Sequence, residues 1–181
     1  MNTYTLILAD GTQKEVPFLI KNGRECVAEH ISKTEFAEKA SGKLVIFEPL
    51  IDLFESVRET VGLPININSG YRSKEYQEKL YQQDIKNNGG KPSGNVAKPG
   101  NSPHETGAAM DLSIPVNMDA ATFAALLRKR SVDLKFPMAR TGWVTYHGTF
   151  VHCDLVHMLF EPYLKGRRNP SPNAWVPGMK W

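Results

Sequence analysis

Two stretches of this 181-residue chain combine residue types and spacings that can do chemistry: Ser102-Pro103-His104-Glu105-Thr106-Gly107-Ala108-Ala109-Met110-Asp111 and Thr149-Phe150-Val151-His152-Cys153-Asp154. Asp111 is the most informative residue. Its neighbours Ala108, Ala109, Met110, Leu112 and Ile114 read as a buried strand. A carboxylate buried there costs several kcal/mol unless it is paired or bound to a metal. Gly107 lets the chain turn back so that His104 and Asp111 converge. In the second stretch, residues two apart on a strand share a face, so His152 and Asp154 point one way and Val151, Cys153 and Leu155 the other. Two histidines and one aspartate (His104, Asp111, His152) leave one position of a tetrahedral zinc open for water, the pattern of a catalytic rather than a structural site. A cysteine-rich structural site is excluded by a count of two cysteines. Singly, these residues are ordinary: a loop histidine, a capping aspartate, a His-x-Asp pair on a strand. Their combination points to a metal only as part of a longer pattern along the chain.

The elements that must position them can be read from periodicity. Residues 3–8 and a second extended run to Phe18, joined by Asp10-Gly11, form a β-hairpin. Ser32-Lys33-Thr34-Glu35 is a capping box for a short helix that Gly42 ends. From Glu48-Pro49, the residues Leu50, Leu53, Phe54, Val57 and Val61 follow helical spacing until Gly62 and Pro64. A short strand covers 65–68, and Ser73 caps a helix with Tyr76, Leu80 and Ile85 on its buried face. Residues 87–103 are rich in Gly, Asn, Pro and Ser, which marks a long loop, and loops of that length are usually functional or mobile. A strand over 108–114, a helix over 119–130 with Phe123, Leu126 and Leu127 inward, and a hairpin around His147-Gly148 complete the domain. The sum is an α+β fold, an antiparallel sheet with helices packed against it. Its expected divisions are an N-terminal hairpin extension (1–30), a central domain (31–160) and a basic, aromatic tail (161–181) containing Trp175 and Trp181.

Composition sets the outer bounds. The hydrophobic share of 41% and charged share of 23% are those of a soluble globular domain. The net charge of +3 suits approach to an anionic polymer but is too small and too dispersed for nucleic-acid binding. No apolar run approaches the roughly 20 residues needed for membrane insertion. The first residues lack a basic segment followed by an apolar core, so no signal peptide is expected. Cys26 and Cys153 are expected to be free thiols.

Taken in order, Ser69-Gly70-Tyr71-Arg72-Ser73, then Ser102-x-His104-x-x-Gly107-x-Ala109-x-Asp111, then Val151-His152-x-Asp154, the motifs resemble the M15 metallopeptidases over residues 50–154. That family includes D-Ala-D-Ala carboxypeptidases, murein endopeptidases and L-Ala-D-Glu phage endolysins. The resemblance implies the D-Ala-D-Ala peptidase (Hedgehog-like) fold and zinc on His104, Asp111 and His152. It implies a peptidoglycan stem peptide or cross-link as substrate, reached after release from the cell or as part of a virion. It also implies that Arg72 binds substrate and the charge developing on the scissile carbonyl, a role suited to a guanidinium that donates two hydrogen bonds at once.

One position departs from the family. Many members carry an acidic general base three residues before the final histidine, where this chain has Thr149. Asp154, on the face of His152, can serve as that base or orient the ligand instead. His147, at the hairpin turn, is the other candidate, and His157 and Glu161 are more distant. The same fold and ligands also occur in non-catalytic zinc-binding modules, an alternative that the missing acid keeps open.

Overall fold

The computed structural model describes residues 2–136, 144–146, 149–156 and 158. The chain opens with the expected hairpin, in which β1 (Thr3–Ile7) pairs antiparallel with β2 (Gln13–Pro17). Asp10 stabilises its turn by accepting the Thr12 N–H at 2.8 Å. A second small hairpin follows, β3 (Leu19–Lys21) with β4 (Arg24–Cys26). Helix α1 (Lys33–Phe36) starts at the expected capping box, where the Glu35 carboxylate accepts the Ser32 N–H at 3.2 Å. It ends at Phe36 and not at Gly42, because the chain then turns to deliver Glu38 to a later helix.

Strand β5 (Val45–Phe47) runs parallel to β1 and leads directly into α2 (Glu48–Val61). The α2 periodicity holds: Leu50, Leu53, Phe54 and Val57 are fully buried. Gly62 stops the helix in a left-handed conformation at φ 67°. The remaining strands are β6 (Ile67–Ser69), β7 (Ala109–Ser113), β8 (Val144–Tyr146) and β9 (Phe150–Asp154). They form one antiparallel sheet in the order β6-β7-β9-β8.

The expected α+β fold holds, and among the described residues its strands fall into a mixed three-stranded sheet, a two-stranded hairpin and the four-stranded antiparallel sheet. The parallel β1–β5 pair was not anticipated. Such a pair joins segments far apart in sequence and leaves no local periodic signal. Tyr4 and Ile7 of β1 belong to the same apolar cluster as Leu53, Phe54, Met110 and Leu112.

Helix α3 (Lys74–Asn87) begins at Ser73, whose hydroxyl accepts the Tyr76 N–H at 3.1 Å. Its buried face differs from expectation. Tyr76, Leu80 and Ile85 are half-buried, and the fully buried residue is Gln77. Helix α4 (Ala120–Asp133) is capped by Asp119 and buries Phe123 and Leu127 in contact with α2, while Leu126 is half-buried.

The alternation on β9 matters most for the site. Val151, Cys153 and Leu155 lie fully in the apolar core, so His152 and Asp154 occupy the opposite face. Both cysteines are free and buried. No helix among the described residues is long and apolar enough to cross a membrane. His147, His157, Glu161 and the tail over 161–181 lie outside the described residues.

Candidate metal centre

Sheet register brings the three predicted ligands together. Asp111 sits opposite His152 on the β7–β9 pair and opposite Ser69 on the β6–β7 pair. His104 comes from a single 3-10 turn, Pro103–Thr106, that ends at Gly107 in a left-handed conformation and feeds β7. One potential ligand atom from each of His104, Asp111 and His152 lies within 4.8 Å of the others, and all three residues are buried.

The His104 turn is fastened to the Ser69-Gly70-Tyr71-Arg72-Ser73 segment. The Arg72 N–H donates to the His104 carbonyl at 3.2 Å. In return, His104 Nδ1 lies 2.7 Å from the Gly70 carbonyl. A carbonyl only accepts, so Nδ1 carries the proton and Nε2 the lone pair. Gly70 is itself set against α1: the Tyr71 N–H donates to the Phe36 carbonyl at 2.8 Å. A Cβ at Gly70 would fall 2.5 Å from Phe36, so the close approach requires glycine.

This tautomer gives the fit test for a metal. His104 Nε2 faces Asp111 Oδ1 at 3.4 Å. Two acceptors facing each other in a buried pocket repel, and a shared cation resolves the conflict. Two ligands with bonds of about 2.1 Å to a tetrahedral ion stand about 3.4 Å apart, so the pair fits zinc. His152 meets the same oxygen, with Nδ1 2.9 Å from Asp111 Oδ1. Its Nε2 meets Asp154 Oδ2 at 3.2 Å. Asp154 thus holds one ring nitrogen and leaves the other directed at Asp111, the usual support of a metal-binding histidine.

Electrostatics follow from this arrangement. Burial opposes ionisation of Asp111, yet the two histidines outweigh it and hold the carboxyl far below the usual carboxylate range. Burial likewise works against a charged His152, but the hydrogen bonds that it donates to the Asp111 and Asp154 carboxylates push it up to about 9. His104 goes the other way, below its ordinary value, because burial prevails over the attraction of Asp111. Without metal, then, the cluster carries one proton on His152 and none to spare on His104.

Arg72 is held on three sides. Its Nη2 donates to Asp111 Oδ2 at 3.1 Å, its Nε to Ser69 Oγ at 3.0 Å, and its Nη1 to Gln77 Oε1 at 3.5 Å. The side chain borders a cavity of about 230 Å³ together with Asn95, Val96, Ala97, Ser102, Pro103, His104, Asp111, Phe150 and His152. The long loop thus supplies one wall of the cavity.

Of the predicted site residues, His104, Asp111, His152 and Arg72 meet at this cavity. Asp154 lies behind His152, buried and away from the cavity wall. Thr149 is exposed, and His147 falls outside the described residues. Gln77 was not anticipated. Its signal was available as a polar residue one helical turn after the Ser73 cap, on the face that also carries Leu80.

The family profile of VanY, described as D-alanyl-D-alanine carboxypeptidase, matches residues 45–145, a span that includes Arg72, His104 and Asp111 and stops before His152. Among solved structures, the LdcB LD-carboxypeptidase, described with the molecular basis of its peptidoglycan recognition, is similar at a TM-score of 0.42 and 18% identity, over 81% of this chain and 72% of that one. No curated protein matches significantly. Matched over more than half its length, and carrying the ordered motifs of the M15 peptidases, the chain belongs to the VanY family of D-alanyl-D-alanine carboxypeptidases.

Proposed function

We propose that this protein is a zinc-dependent peptidase that hydrolyses a peptide bond in peptidoglycan stem peptides or cross-links. The observation that carries this reading is the buried convergence of His104, Asp111 and His152 on a cavity that Arg72 also borders. His104, Asp111 and His152 would hold the zinc. When bound there, zinc supplies a water acidified toward a pKa of about 7 and a Lewis acid for the scissile carbonyl.

The protein's own side chains do the rest. Gly70 fixes the His104 tautomer, and Asp154 orients His152 through Nε2. Arg72, anchored on Asp111, offers a guanidinium to the oxyanion or to a terminal carboxylate of the substrate. Of the two candidates for general base, Asp154 is engaged by His152 and by the Val156 N–H at 3.4 Å. That engagement supports an orienting role and favours His147 as the base.

The two roles separate by mutation. Asp154→Asn is expected to weaken zinc affinity about 10- to 100-fold while turnover recovers at saturating zinc. His147→Gln is expected to keep its zinc and lose turnover by about 10²- to 10⁴-fold. Zinc affinity and turnover measured on both variants decide, and the reverse pattern would make Asp154 the base.

A second reading, a non-catalytic zinc module, is favoured by the exposed Thr149 at the position where the family's acid stands. Mass spectrometry of defined muropeptides separates the readings. Incubation of pentapeptide and cross-linked muropeptides with the zinc-loaded protein is expected to release D-alanine or open a stem-peptide bond. Intact muropeptides throughout, with zinc bound, would establish the module instead.

A further inference from the structure

Helix α3 buries a glutamine, Gln77, beside the apolar stripe that its sequence offers, and both ends of its amide are in use. Gln77 Nε2 donates to the Ala97 carbonyl at 2.7 Å, and Oε1 accepts from Arg72 Nη1 at 3.5 Å. The partners fix the orientation of the amide, since a carbonyl must receive an N–H and a guanidinium must give one. The side chain is fully buried, so water cannot replace either partner readily.

Ala97 belongs to the long loop between α3 and the His104 turn, and it borders the cavity with Asn95 and Val96. Residues 88–102 contain no helix or strand, so side-chain anchors must place them. Asp84 on α3 accepts the Ser93 N–H at 2.8 Å and the Ser93 hydroxyl at 2.5 Å. Glu105 accepts the Gly100 N–H at 2.9 Å. Those two anchors hold the loop at Ser93 and Gly100. Gln77 holds the loop between them, at Ala97 on the cavity wall, and also hydrogen-bonds Arg72.

We infer that Gln77 is a positioning residue for the hydrolysis: it ties the loop wall to the Arg72 guanidinium, so that both meet the substrate in one fixed relation. This rests on the peptidase reading given above. Gln77 holds Arg72 and Ala97 and has no role as an acid, base or ligand. Misplacing a binding group by about 1 Å can cost roughly 100-fold in rate. The contact of 3.5 Å to Arg72 is long, so the bond to Ala97 is the stronger half of the link.

Two variants take the link apart. Gln77→Met keeps the volume and removes both hydrogen bonds. Gln77→Glu keeps an oxygen for Arg72 but turns an acceptor toward the Ala97 carbonyl. The zinc-loaded full chain is compared by kcat and KM on a muropeptide, by amide exchange of residues 94–98, and by zinc content. Both variants are expected to retain one zinc and to lose exchange protection in the loop. The Met variant is expected to lose about 10- to 100-fold in kcat/KM, carried mainly by KM. The Glu variant is expected to lose less, because the Arg72 contact survives.

Should the Met variant not fold, the Glu variant decides by the same readouts. A variant with lower melting temperature but kcat/KM within twofold of wild type, or with unchanged loop exchange, overturns the inference and leaves Gln77 a packing residue. A wild-type chain without turnover overturns the peptidase reading, and this inference with it.

Discussion

Asp111→Asn is expected to abolish hydrolysis while leaving the chain folded. Asparagine preserves the shape of the side chain, so β7 keeps its packing and its register with His152. What it removes is charge at the one residue that three site groups share: His104 Nε2 at 3.4 Å, His152 Nδ1 at 2.9 Å and Arg72 Nη2 at 3.1 Å. A neutral amide is a poor zinc ligand, and its NH₂ end must face either a histidine lone pair or a guanidinium. His152 also loses part of the support that holds it at about 9 and moves down toward its ordinary value. Losing the metal removes several kcal/mol of transition-state stabilisation. Steady-state turnover on a muropeptide should therefore fall by about 10³-fold or more. Circular dichroism should show native secondary structure, and near-wild-type turnover would remove Asp111 from the site.

The second large effect lies at Gly107, which is not among the residues that border the cavity. Its φ of 72° disfavours any residue with a side chain, and a Cβ there would fall 2.5 Å from the Val45 carbonyl oxygen. The same glycine accepts the Phe47 N–H at 3.0 Å, which ties the His104 turn to β5. Gly107→Ala therefore adds backbone strain of about 1–2 kcal/mol to an overpacking cost of about 1–3 kcal/mol. At roughly 2–4 °C per kcal/mol for a chain of this size, the melting temperature should drop by about 4–20 °C. The strain also displaces His104, so zinc affinity should fall with it. Gly62→Ala is the control, because Gly62 has a similar φ of 67° and nothing within 4 Å of its Cβ position. Calorimetry of both should show a small loss at Gly62 and a large one at Gly107. Equal losses would mean that strain alone operates and that the contact with Val45 contributes nothing.

Much of the candidate site was legible because its signals are local. Strand alternation puts His152 and Asp154 on one face, and the apolar neighbours of Asp111 mark it as a buried carboxylate. The turn at Gly107 and the cap at Ser73 are encoded within a few residues of where they act. The α2 helix is legible for the same reason, since its apolar spacing is complete from Leu50 to Val57.

What sequence reading missed is long-range. The parallel pairing of β1 with β5 joins segments with no shared local pattern, so the first hairpin was expected without its third strand. Gln77 was missed because its role depends on a carbonyl 20 residues away, at Ala97. Reading α3 as an apolar stripe placed Tyr76 and Leu80 inward, where the site instead demands an amide. The 3-10 turn and Gly70 show the converse: the motif residues were evident, but only the contact with Phe36 explains why position 70 is glycine.

Whether His104, Asp111 and His152 hold zinc is decided by calorimetric titration of zinc into chelator-stripped protein at pH 7.5. His152 rests at about 9 in the metal-free cluster, so it holds a proton at that pH, whereas His104 is already neutral. Zinc must displace that one proton to reach His152. Apparent affinity should therefore rise about tenfold per pH unit up to about pH 9 and level off above it. The expected result is about one zinc per chain, about one proton released when buffers of different ionisation enthalpy are compared, and loss of binding in Asp111→Asn. No saturable binding, or binding that survives Asp111→Asn unchanged, would contradict it.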